Sequence, residues 1–100
     1  MRVTIVKRDG IVCVDGTCLN NIDTSDIPRE VRAVQWFGAF GEVEVIDPVS
    51  GKPGNVRIEN IASYQIWIDR WKVKKDEIDS YQAASLSSVT NPDDLPPAAR

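Results

Sequence analysis

Two Asp-Gly dipeptides, Asp9-Gly10 and Asp15-Gly16, bracket the run Ile11-Val12-Cys13-Val14. This is the feature that most narrows the fold. Glycine accepts positive φ without steric cost, so Asp-Gly between alternating apolar residues is among the strongest local signals for a hairpin. The β-branched stretch Arg2 to Lys7 precedes the first turn and Thr17-Cys18-Leu19 follows the second. Residues 2 to 19 are therefore expected to form a three-stranded meander. If Asp15-Gly16 is a two-residue turn, Val14 faces Thr17 and Cys13 faces Cys18. Such a pair has Cα atoms about 4.5 to 5.5 Å apart, within reach of a cross-strand disulfide. A reducing cytosol keeps such cysteines as thiols, so reduced Cys13 and Cys18 are expected during synthesis, with oxidation after release as the alternative.

Further strands follow. Residues 20 to 28, ending in Pro28, read as a polar loop, because proline lacks a donor and holds Ile27 extended. Val31 to Phe37 favours a strand by composition, with Arg32 expected on the face of Val34 and Trp36. Glu42 to Ile46 alternates acid and apolar, and Gly38-Ala39-Phe40-Gly41 is the expected hairpin loop between them. Residues 47 to 55 are Pro/Gly-rich, and Val56 to Glu59 reads as a short closing strand.

Asn60 then reads as a helix N-cap. Ile61, Tyr64, Ile68 and Trp71 recur at helical steps with Trp67 beside them, and Ile78 and Tyr81 extend the stripe. The expected fold is α+β: a small antiparallel sheet of about five to six short strands packed by one C-terminal amphipathic helix. Residues 1–82 form the single domain, with strands over 2–59 and the helix over 61–82. Residues 83–100, rich in Ser, Pro and Asp, are expected to be a flexible tail.

Composition closes several functional classes. The chain of 100 residues carries a net charge of -3, which argues against a basic nucleic-acid face and against attraction to anionic lipid. Lys72, Lys74 and Lys75 are followed by Asp76 and Glu77 and read as a solvated helix face. No apolar run approaches the roughly 18 residues of a membrane span, and the apolar part of Arg2 to Lys7 suits a first strand better than a signal peptide. With no histidine, the commonest general base and neutral metal ligand are missing. Glu42 and Glu44 share a strand face about 7 Å apart, but alternating acids are the ordinary dress of a solvated strand. Asp23 and Asp26 lack the spread of oxygens that calcium takes. No catalytic residue, cofactor or metal is expected.

The rings of the tip remain. Trp36 is expected in the core against the helix. Phe37 ends a strand, Phe40 sits in a loop and Tyr64 opens the helix. Exposed, they would anchor a protein–protein contact.

Taken in order, Val14-Asp15-Gly16, Val31 to Trp36, Gly38, Gly41-Glu42-Val43-Glu44 and Tyr64 to Trp71 resemble a pattern in small proteins from the tail-fibre region of tailed-bacteriophage genomes. The resemblance covers about residues 10 to 75. It implies a non-enzymatic structural or adaptor protein on a tail-fibre or baseplate partner. Such a protein is made in the host cytoplasm and placed in the virion tail in several copies. An assembly chaperone that leaves before maturation is the alternative, and a small cytoplasmic phage regulator is a second. The resemblance brings no ligand residue with it.

Overall fold

The computed structural model describes the backbone of residues 1–88 and the side chains of residues 1–82. Six strands, β1 (Val3–Val6), β2 (Ile11–Val14), β3 (Thr17–Leu19), β4 (Val31–Trp36), β5 (Gly41–Ile46) and β6 (Pro53–Ile58), precede a 3-10 turn at Ala62–Tyr64 and helix α1 (Gln65–Ser88). The strands form one antiparallel sheet in the order β3-β2-β1-β4-β5-β6. The expected α+β architecture is the one observed.

The meander forms as the Asp-Gly turns require. Asp15 and Gly16 both take positive φ, at 49° and 87°, and the register opposes Val14 to Thr17 and Cys13 to Cys18. The two sulfurs are bonded, with Cα atoms 3.9 Å apart, the oxidised form that the opposed register puts within reach.

Alternation then sorts the two faces of the sheet. Val3, Ile5, Val12, Val14, Val34, Trp36 and Val43 are buried on one side with Trp67 and Ile68 of the helix. Cys13, Cys18, Glu42 and Glu44 point to the other, which no described element covers. The helix stripe is the predicted one over its first half, with Ile61, Tyr64 and Trp71 packed half-buried against that core. Its strand neighbours are β2 and β3. Trp71 Nε1 donates to the Thr17 carbonyl at 3.0 Å and Lys74 Nζ donates to the Asn20 carbonyl. Trp36 thus shares a core with Trp67 but lies two strands away from the pair on which the helix rests.

Several expectations need correction. Arg32 does not share the face of Val34 and Trp36. Val31 opposes Val45 while Ala33 opposes Glu44, so Arg32 is the extra residue of a β-bulge. The bulge turns Val31 inward and leaves the guanidinium in water, avoiding a buried unpaired charge. The stretch 20–28 is not a simple polar loop. It crosses from the β3 edge to β4, and Ile22, Thr24 and Ile27 are buried in it. Gly41 belongs to β5, opposite Trp36, rather than to the turn. The closing strand starts at Pro53, three residues before the expected Val56. Tyr81 does not extend the stripe, being 75% exposed. The helix continues through Ser88 instead of ending at 82, so residues 83–88 are helical. The rest of the expected tail, 89–100, lies outside the described residues.

The crossover fastens the helix. Asp26 accepts two hydrogen bonds from Arg70, at 2.7 and 2.9 Å, and one from Trp67 Nε1 at 3.0 Å. Arg70 also donates to the Asp23 carbonyl. Asn60 Oδ1 accepts from the Ala62 amide at 2.6 Å, but the N-cap of the 3-10 turn is Ile61, so Asn60 lies one residue before the cap position predicted for it.

Candidate functional site

The β4–β5 hairpin closes more tightly than its sequence suggests. The Phe37 amide donates to the Phe40 carbonyl at 2.8 Å, which leaves Gly38-Ala39 as the connection. Gly38 takes φ 106° there, a conformation that a side chain resists. This closure brings the two phenylalanine rings together, with centroids 5.3 Å apart and planes at 49°.

An arginine stands against each ring. The Arg2 guanidinium carbon lies 5.7 Å from the Phe37 centroid, and that of Arg57 lies 4.2 Å from the Phe40 centroid. Both distances fall within cation–π range. The result is a row, Arg2–Phe37–Phe40–Arg57, along one end of the sheet. Phe37 and Phe40 are half-buried, so they are less open than free anchors would be. The row joins the rings to two cations, a pairing of residue types common among the energetic centres of interfaces.

The row ends on an edge strand. In the β5–β6 turn the Asp47 amide donates to the Lys52 carbonyl at 2.9 Å. Bonding alternates along an antiparallel pair, so Gly54, Val56 and Ile58 bond toward β5. Asn55 and Arg57 direct their backbone N–H and C=O groups outward. Among the described residues no strand lies beyond β6. Val56 opposes the buried Val43 yet is 51% exposed, because the helix rests at the other side of the sheet. Arg57 is also bonded to Glu59 at 2.7 Å. That pair is open to water and adds little stability.

Tyr64, the third predicted contact residue, is not part of this row. Its ring sits 5.8 Å from that of Trp67 and it packs against the core. Burial pushes its phenol up, and the Glu30 charge acts in the same direction. Cys13 and Cys18 occupy the uncovered face of β2 and β3. Glu42 and Glu44 line a small depression with Ala33, Gln35 and Asn55, and Glu42 stands opposite Arg57. Asp26 is held well below the usual carboxylate range by its bonds from Arg70 and then Trp67. It therefore serves as an ionised structural acceptor. Among the described residues no three His, Cys, Asp or Glu side chains gather as metal ligands would.

Arg2 and Arg57 are site residues that the sequence reading missed. A signal existed for Arg57. Extending β6 back to Pro53 and counting register from Asp47–Lys52 places it opposite Glu42, beside the Phe40 turn. Comparison with protein-family models, with curated proteins and with solved structures gives no match. No helix among the described residues is long and apolar enough to cross a membrane.

Proposed function

We propose that the chain is a non-catalytic adaptor that docks onto a tail-fibre or baseplate protein of a tailed bacteriophage. Several copies act in a symmetric assembly, made in the host cytoplasm and carried in the virion tail. One observation carries the docking reading. The Arg2–Phe37–Phe40–Arg57 row runs directly onto β6, an edge strand whose outward backbone groups at Asn55 and Arg57 are open to a partner strand. Strand addition supplies affinity through main-chain bonds, and flanking side chains supply selectivity. Pro53 at the start of β6 and the charge of Arg57 limit indiscriminate pairing of this edge. The phage context rests on the resemblance alone. A small thin-cored domain also gains stability by joining an assembly.

The test has two arms. Mass spectrometry of purified virions should find this chain in a fixed ratio to a fibre or baseplate protein. In a pull-down with that protein, the double variant Phe37→Ala/Phe40→Ala should bind roughly tenfold more weakly while its circular dichroism is unchanged. Binding untouched by that variant and by Arg57→Glu would remove the tip and β6 from the interface.

A second reading is favoured by the outward face of the helix. Ile66, Val73 and Tyr81 lie at helical spacing and are all exposed. A fibre-assembly chaperone would use such a stripe to hold a nascent chain. It would be missing from finished virions but recovered with immature fibres.

A further inference from the structure

At the end of the sheet opposite the aromatic row, the structure collects cations that the sequence keeps apart. Lys7 and Arg8 leave β1, Arg29 ends the crossover and Arg32 is the bulge residue of β4. All four line one open cavity of about 390 Å³ with Val6, Val31 and Ala33. A chain of net charge -3 thus places four of its 12 lysines and arginines around a single cleft. Among the described residues none of the four has a carboxylate within ion-pair distance. Asp9 and Glu44 also line the cleft, which leaves a formal excess of two positive charges.

The frame is built from main-chain and buried bonds. The Lys7 amide donates to the Arg32 carbonyl at 3.0 Å. The buried Thr24 hydroxyl donates to the Lys7 carbonyl at 2.7 Å. These bonds tie the β1–β2 turn to the crossover and to β4, so the cations ride on a fixed scaffold. Ser25 lines the cleft as well, but its hydroxyl proton is committed to Asp23.

We propose that this cleft is an anion site that takes the phosphate group of a small phosphate ester. The three guanidiniums of Arg8, Arg29 and Arg32 offer planar forks that match phosphate oxygens, and the Lys7 ammonium adds a fourth positive charge. The excess of two positive charges matches a phosphate near its dianionic form. The volume lies within the range of small-molecule sites, leaving space beyond the phosphate for an organic substituent against Val6 and Ala33.

Titration of the full chain with inorganic phosphate, ribose 5-phosphate and a glutamate-rich peptide, followed by amide NMR shifts, tests this. Saturable shifts at Lys7, Arg8 and Arg32 with either phosphate probe are expected. Tighter binding of the ester identifies the ester as the ligand form, and equal binding identifies the phosphate alone. Arg29→Ala/Arg32→Ala, both exposed positions, should weaken binding roughly tenfold with an unchanged melting curve. Glu44→Gln should tighten it about threefold by removing a like charge. No saturation by about 10 mM of either phosphate probe, unchanged affinity in the double arginine variant, or tighter binding of the peptide would each overturn the proposal.

Discussion

Asp26 and Arg70 meet across the crossover and the helix in a two-point ion pair, with oxygen–nitrogen distances of 2.7 and 2.9 Å. The same carboxylate accepts the Trp67 indole N–H. One acid therefore fixes the segment that covers the sheet to the helix that covers it. The Arg70 bonds, and then the Trp67 bond, hold the Asp26 carboxyl well below its ordinary value of 3.8. A carboxylate with a depressed folded value contributes stability above its unfolded value and loses it as pH falls through the folded one. The contribution is thus complete at neutral pH and begins to fail near pH 4. Asp26→Asn should give a flatter stability profile below about pH 4, read from urea midpoints across pH. Parallel profiles for variant and parent would show that the pair does not govern acid unfolding. Arg70→Lys should resemble Asp26→Asn, because lysine cannot make the two-point contact.

Gly41 makes room for a main-chain carbonyl and a ring. A Cβ at this position would collide with the Gln35 carbonyl oxygen and would also stand 2.9 Å from Cε3 of Trp36, its cross-strand partner. Gly41→Ala should destabilise the fold by about 1 to 3 kcal/mol, the usual cost of overpacking. Trp36→Leu should relieve part of that loss in the double variant. Chemical unfolding of the four combinations measures the coupling, and strictly additive losses would show that the ring and the missing Cβ are unrelated.

The disulfide closes a short loop, with a sequence separation of 5 between Cys13 and Cys18. Loop-entropy arguments give a bridge of this size about 2 kcal/mol. Reduction, or Cys13→Ser/Cys18→Ser, should lower stability by up to that amount without unfolding the sheet, because the Asp15-Gly16 turn already sets the register. Unfolding with and without reductant tests the magnitude. Intact mass after alkylation without reductant counts the free thiols, and two labels on the mature protein would show the bridge to be absent.

Thr24 is 5% exposed and donates to the Lys7 carbonyl. That carbonyl also accepts the Gly10 amide at 3.3 Å. Thr24→Val keeps the volume and removes the donor, so a loss of about 1 kcal/mol is expected. Amide exchange should quicken first at Gly10 and in the crossover. An unchanged exchange pattern there would mean that the bond does not hold the turn.

What was legible in the sequence was local. Asp15-Gly16 and the valines around it fixed the meander and opposed Cys13 to Cys18, since a two-residue turn leaves one register. The spacing of Tyr64, Ile68 and Trp71 located the helix. The polar letters of Asn20, Asn21, Asp23 and Ser25 hid the buried Ile22, Thr24 and Ile27, because a crossover over a sheet interior mixes inward and outward residues without a regular period. Gly41 read as turn chemistry because its partner Trp36 is not visible as a neighbour until the strands pair.

The sequence alone determined the α+β class, the first hairpins and the apolar stripe of the helix, because alternation, turn chemistry and helical spacing act over a few residues. Only the tertiary structure decided which charges and rings meet. Arg2, beside β4, and Arg57, on β6, reach the phenylalanines from the two sides of the β4–β5 hairpin. Lys7, Arg8, Arg29 and Arg32 converge through a crossover and a bulge. Such meetings depend on strand order and register, which arise from burying the whole apolar face at once and leave no periodic mark in the chain.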